Sequence, residues 1–287
     1  VNFLILCLAL AVDGTPSLTA STTVPSTITG TAHHATSANF EVIGASATVE
    51  ATQVAALCEQ WRAKLQSYWL QEPTPHWNPR CKVILHSTRS SYLSAVGRGG
   101  EQTRGSSWIE FKAEQVSRRQ IDLLGVDDLG LTALPHEMTH VIFADLFKGR
   151  QPPRWADEGA AMLADTHEKQ QLHQRDLEAS VARRIGFRVG ELFAAEHYPQ
   201  PHRVPGFYGQ SVSVTAFLAR RDDPAKFVTF IRLALDHGHD RALRDVYGLD
   251  GTAELEQEWL AHRYGGRGYH GLRLTLDRRV SKTGVTE

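Results

Sequence analysis

The sequence predicts an α+β fold, a small mixed sheet with a few helices followed by a mainly helical second half. Three observations carry this. Between 40 and 124, short runs rich in Val, Ile, Leu and Phe are bounded by turn residues, as strands are. From 131 to 262, apolar residues recur three and four apart, the period of helices that bury one face. Strands come first and helices afterwards, which argues for an α+β arrangement.

Taken in order, the chain opens on a segment unlike the rest. Residues 3–12 read FLILCLALAV, an apolar run too short to span a bilayer and suited to the core of a secretory signal. Ala9 and Ala11 place small residues in an A-x-A spacing, so residues 1–12 are read as a signal peptide. Export is therefore expected, to the outside or to the periplasm and cell envelope. No Lys or Arg precedes the run, and the competing reading is a buried strand or helix of the domain. Cys7 is not expected to carry a lipid, because Leu6 is not the small residue a lipidation site places before its Cys. Residues 13–39 are rich in Ser, Thr, Ala and Gly and hold almost no large apolar side chains. Such a stretch buries too little surface to offset chain entropy, so it is read as a flexible linker, with His33 and His34 solvated inside it. The domain proper is expected over 40–264, and 265–287 as a tail with one alternating stretch at 272–276.

Within the domain, FEVI at 40–43 reads as a strand, and apolar residues at Val54, Leu57, Trp61, Leu65 and Trp69 predict a helix over 46–70. Pro73, Pro75 and Pro79 close that helix. CKVILH at 81–86 has the composition of a buried strand, 90–96 of a short helix, and 106–111 and 120–124 of two more strands. Helices are predicted over 131–147, 155–172, 176–185, 190–196, 209–220, 224–236, 241–247 and 252–262. No internal repeat is present.

Composition excludes several classes of function. There are 31 Lys and Arg against 32 Asp and Glu, so no basic surplus exists to neutralise phosphates, and nucleic-acid binding is not expected. No apolar run approaches the roughly 18–20 residues that cross a membrane as a helix. Of the three cysteines, Cys7 falls in the leader. Cys58 and Cys81 either form one disulfide in an oxidising compartment or stay as two buried thiols; the sequence leaves both readings open.

The chemistry concentrates in two segments. Residues 134–142 read LPHEMTHVI, so His136 and His140 lie four apart on one helix face and can bind one ion. Glu137 is rotated by one residue step, which suits a carboxylate that touches a bound water rather than the metal. Pro135 is tolerated only in a first turn, which places the helix start near Thr132. A random shuffle of this composition contains the H-E-x-x-H pattern only about 0.04 times, so context has to decide between a metal site and a core helix with a His pair. The context is RWADEGAAMLAD at 154–165, beyond the break at Pro152 and Pro153. A catalytic zinc takes three protein ligands and keeps one position open. Glu158 is the natural third, and Gly159, Ala160 and Ala161 let its helix approach the first closely. Asp157 and Asp165 read as exposed helix carboxylates in preference to partners of a ligand His.

These residues resemble the gluzincin metallopeptidases, the compact peptidase MA-like group related to thermolysin and aminopeptidase N. The matching pieces are HEMTH at 136–140, WADEG at 155–159, YGQSVSVTAFL at 208–218 and the helical segment 224–262 ending near Trp259. The spacing between the second His and the Glu is slightly shorter here than in those relatives. The resemblance implies a zincin-like domain in which His136, His140 and Glu158 bind Zn2+ and Glu137 is the general base for peptide hydrolysis. It makes Tyr208 the candidate for stabilising an oxyanion, against a packing role at a helix start. In related zincins an edge strand lines the cleft, and 106–111 or 120–123 takes that place here, ready to pair with an extended peptide. No G-x-M-E-N exopeptidase anchor is present, which favours an endopeptidase acting on peptide or protein. The alternative is a metal-binding but catalytically silent domain that recognises peptide or envelope polymer; the retained Glu137 argues for the enzyme.

Overall fold

The computed structural model describes residues 2–5, 27–44, 49–71, 74–113, 115–125, 128–147 and 149–265. The strands are β1 (Asn2–Ile5), β2 (Thr29–Gly30), β3 (His34–Thr36), β4 (Phe40–Ile43), β5 (Cys81–His86), β6 (Gly105–Lys112) and β7 (Gln115–Leu124). The helices are α1 (Ala51–Trp69), α2 (Arg89–Val96), α3 (Leu134–Phe147), α4 (Arg154–Met162), α5 (His167–Ala182), α6 (Val189–Phe193), α7 (Val204–Arg221), α8 (Pro224–His237), α9 (His239–Tyr247) and α10 (Thr252–Tyr264). The fold is α+β, with strands confined to the first part and helices filling the second.

One mixed sheet of seven strands runs in the order β1-β6-β7-β5-β4-β3-β2. Its centre, β4, β5 and β7, is parallel, whereas β6, β3, β2 and β1 are added antiparallel. The alternation in the strands explains the layering. Phe40, Val42, Val83, Ile109 and Ile121 are buried under α1 and α3, where Trp69 packs edge-on against Phe143 at 5.3 Å between ring centres. The intervening residues Glu41, Lys82, Glu110, Arg118 and Gln120 line the opposite, open face. The helical half packs around α7. Its glycines fit contacts that a side chain would block: a Cβ on Gly209 would lie 2.4 Å from the His173 carbonyl oxygen of α5. Trp155 stacks on Phe193 at 4.0 Å and meets Phe227 edge-on, which joins α4 to α6 and α8.

Several sequence expectations shift. The helix expected over 155–172 is two helices, α4 and α5, because the chain turns at 163–166. There Asp165 points inward, and Thr166 begins α5 by accepting from the Lys169 amide. The helix expected from 46 starts at Ala51, where Glu50 and Gln53 form a capping box. A 3-10 turn, Asp128–Ala133, precedes α3, so Pro135 sits in the first turn as its chemistry requires. The stretch read as linker is ordered over its last part as β2 and β3. Its anchors are polar: the buried Glu59 carboxylate of α1 accepts from Ser37 Oγ at 2.7 Å, Asn39 N at 2.8 Å and Asn39 Nδ2 at 2.7 Å. Hydrogen bonds to a charged group, at about 1.5–3 kcal/mol each, do there what apolar burial does elsewhere.

Of the segment read as a signal peptide, only Asn2–Ile5 is among the described residues, as a strand against β6. The stretch 272–276 lies outside them. Cys58 and Cys81 are buried, separate thiols, which settles the disulfide question toward two thiols. Burial pushes both thiols well above the ordinary value, with each other's charge adding at Cys58. Among the described residues no helix is long and apolar enough to cross a membrane.

Candidate metal centre

Helix α3 is buried on nearly every side, so its polar residues are held deep. His136 is 4% exposed, and Glu137 and His140 are at 0%. Such residues are found inside a fold only when paired or bound to metal. The strand β6 begins against this helix: a Cβ on Gly105 would stand 2.8 Å from Glu137 Cγ, so only glycine lets the strand pass there. Helix α4 crosses α3 and brings Glu158, 2% exposed, to the two imidazoles. One ligand atom from each of His136, His140 and Glu158 lies within 4.8 Å of the others. The two His rings meet at 5.0 Å, and Glu158 Oε2 is 4.0 Å from His136 Nε2.

Behind each imidazole stands a carboxylate. His140 Nδ1 is 3.1 Å from Asp157 Oδ1, and His136 Nδ1 is 3.3 Å from Asp165 Oδ1. Both aspartates are buried, which corrects their reading as exposed helix carboxylates. Carboxylates this close to Nδ1 favour, by charge, the ring orientation in which Nε2 faces the other donors. Asp165 is itself braced by Lys169 Nζ at 3.5 Å and His173 Nε2 at 3.6 Å. Burial would raise the Asp165 pKa, but His136, Lys169 and His173 overcome it and hold the carboxyl far below its usual range. Burial would likewise lower His140, yet Asp157, Glu158 and Glu137 outweigh it and raise its pKa from 6.5 to about 9. The surroundings of α3 thus favour positive charge. Glu137 is raised, first by burial, against the two imidazoles and the nearby Ser107 hydroxyl. That is the direction a general base at neutral pH requires.

Two further residues, not singled out by the sequence, belong here. Tyr198, from the loop after α6, donates to Glu158 Oε1 at 2.5 Å. The Arg154 guanidinium lies 4.3 Å above the Tyr198 ring. Tyr208, on α7, is largely buried, with its ring 5.9 Å from that of Tyr198 and 6.4 Å from that of His173. Tyr198 sits in a polar loop with no periodicity around it, so nothing in the motif pattern signals it.

The donor set is suited to a cation. His136 Nε2 and both Glu137 oxygens are buried without a hydrogen-bond partner. Each such group costs on the order of 1–3 kcal/mol if left so, and several at one locus mark a site shaped for something outside the chain. A buried His–Asp pair elsewhere supplies the contrast. His86 bonds Asp122 at 2.7 Å and Ser91 at 2.9 Å, and Gln120 bonds the other Asp122 oxygen at 2.7 Å. Both imidazole nitrogens and both carboxylate oxygens are engaged there, so that cluster ties strand ends to α2. Two imidazoles and a carboxylate suit zinc. No family model, curated protein or solved structure matches the chain, so the site stands on its own geometry.

Proposed function

We propose that this protein is a zinc-dependent peptidase of gluzincin type, with a zincin-like domain, exported from the cell and acting as an endopeptidase. The observation that carries the reading is the convergence of His136, His140 and Glu158 beside the fully buried carboxylate of Glu137. His136, His140 and Glu158 would hold the ion. Bound there, zinc supplies a Lewis acid that polarises a scissile carbonyl and lowers the pKa of a water. Glu137 takes the proton of the attacking water and returns it to the leaving amine. Asp157 and Asp165 keep the imidazoles oriented, and Tyr208 remains the candidate donor to the oxyanion. β7 is interior, and the outer edge of β6 is paired with Asn2–Ile5; removal of those residues with the leader would free that edge for an extended peptide to pair along. The apolar run at 3–12 supports export.

The test is cleavage of casein or a peptide library with and without a chelator, alongside Glu137→Gln. Wild type is expected to hold about one zinc per chain and to lose activity on chelation. The variant is expected to keep the metal and lose turnover. Cleavage indifferent to both changes would overturn the reading.

A further inference from the structure

We propose that Tyr198 is a positioning residue that restricts Glu158 to a single metal-facing oxygen, and that Arg154 holds Tyr198 in that role. The inference rests on the metal centre above and assigns a task to two residues that the motif leaves out.

The two oxygens of Glu158 face different partners. Oε1 receives the Tyr198 hydroxyl at 2.5 Å, at the short end of bonds to an ionised carboxylate. Oε2 is the one turned to His136 Nε2, at 4.0 Å. A carboxylate oxygen that accepts a strong hydrogen bond is drawn toward its donor and made a weaker ligand, which favours coordination through the other oxygen. If both oxygens were available they would take an additional position on the ion, the one a catalytic site keeps open. The tyrosine is itself fixed. Arg154 stacks on its ring at 4.3 Å, in cation–π range. Arg154 opens α4 and Glu158 follows one turn later on the same helix face. The helix that presents the ligand therefore also carries the brace for the residue that restrains it, and Arg154, Tyr198 and Glu158 form a closed loop of contacts. Loop movement at Tyr198 is resisted by α4 itself.

The experiment is Co2+ substitution of the full chain, read by the visible absorption of the ion and by competition for Zn2+, so that it does not depend on turnover. Tyr198→Phe removes one hydroxyl and keeps the ring. Its cobalt spectrum is expected to move toward weaker, higher-coordinate bands, and zinc affinity to fall by roughly 10–100-fold. Arg154→Gln is expected to shift both readouts in the same direction by less, which supplies a second variant that leaves the tyrosine in place. Tyr68→Phe, at an exposed tyrosine, controls for the loss of a phenol and is expected to change neither. A Tyr198→Phe spectrum superimposable on wild type, with zinc affinity changed by less than about twofold, would overturn the clamp while leaving the metal centre standing. A wild-type chain that takes up neither ion would overturn the metal centre, and the clamp with it.

Discussion

Gly159→Ala probes the packing on which the ligand helix depends. A Cβ at this position would lie 2.2 Å from Thr215 Oγ1, 2.7 Å from the Ser211 carbonyl oxygen and 3.0 Å from its carbon. Comfortable contact needs about 3.5–4.0 Å, so α4 and α7 must separate by about 1 Å or the helices must distort. Overpacking of this kind costs about 1–3 kcal/mol. The upper part of that range is expected, because one obstacle is main chain and cannot rotate away. At roughly 2–4 °C per kcal/mol for a domain of this size, Tm should fall by about 6–12 °C. The measurement is thermal and urea unfolding of the chelated protein, so that metal binding does not mask the loss. Thr215→Ala on top of Gly159→Ala removes the 2.2 Å clash and leaves the Ser211 carbonyl, so it should restore only part of the stability. A Gly159→Ala protein within about 0.5 kcal/mol of wild type would refute the argument, since ordinary surface changes do no more.

Two other outcomes follow from the geometry. Asp157→Asn and Asp165→Asn are each expected to weaken zinc affinity by roughly 10–100-fold with the fold retained, measured by chelator competition; unchanged affinity in both would show that the carboxylates do not orient the ligands. His239 lies among Phe193, Trp155 and Phe230, its Nε2 without a partner, and burial lowers its pKa below 6.5 despite Asp240. The unfolded chain then binds a proton below pH 6.5 that the folded chain refuses, so this contribution to stability is complete above 6.5 and is lost as pH falls below it. His239→Phe should flatten that slope in urea unfolding followed against pH, and an unchanged slope would assign the dependence elsewhere.

How legible all this is in the sequence depends on how local each cause is. His136 and His140 are four residues apart on one helix, so their shared face follows from helical geometry before any tertiary contact. The apolar strands 40–43 and 81–86 are readable for the same reason. Glu158 is legible only in company: a carboxylate near a helix start has many uses, and the H-E-x-x-H segment selects one. Asp157 and Asp165 look like surface carboxylates because their burial is made by α3, which the local pattern around them does not contain. The turn at 163–166 swings Asp165 inward, and the first turn of α4 sets Asp157 against His140. Tyr198 is a case of long-range dependence, since its partners Glu158 and Arg154 sit on α4, a separate helix. β2 and β3 were hidden because polar composition argues for loose chain, whereas the bonds that hold this corner come from Glu59 on another element.

The sheet has one further consequence, for the behaviour of the molecule in company. A bare strand edge is a template on which other chains can pair and aggregate. On one side this sheet tapers to β2, a strand of 2 residues, which offers little to copy. On the other, β6 is a strand of 8 residues, and four of its positions are paired with Asn2–Ile5. Removing residues 2–5 would bare that edge beside α3. A chain so trimmed would gain an unpaired edge and a self-association hazard together, so its solubility should depend on whether another strand occupies the vacated positions.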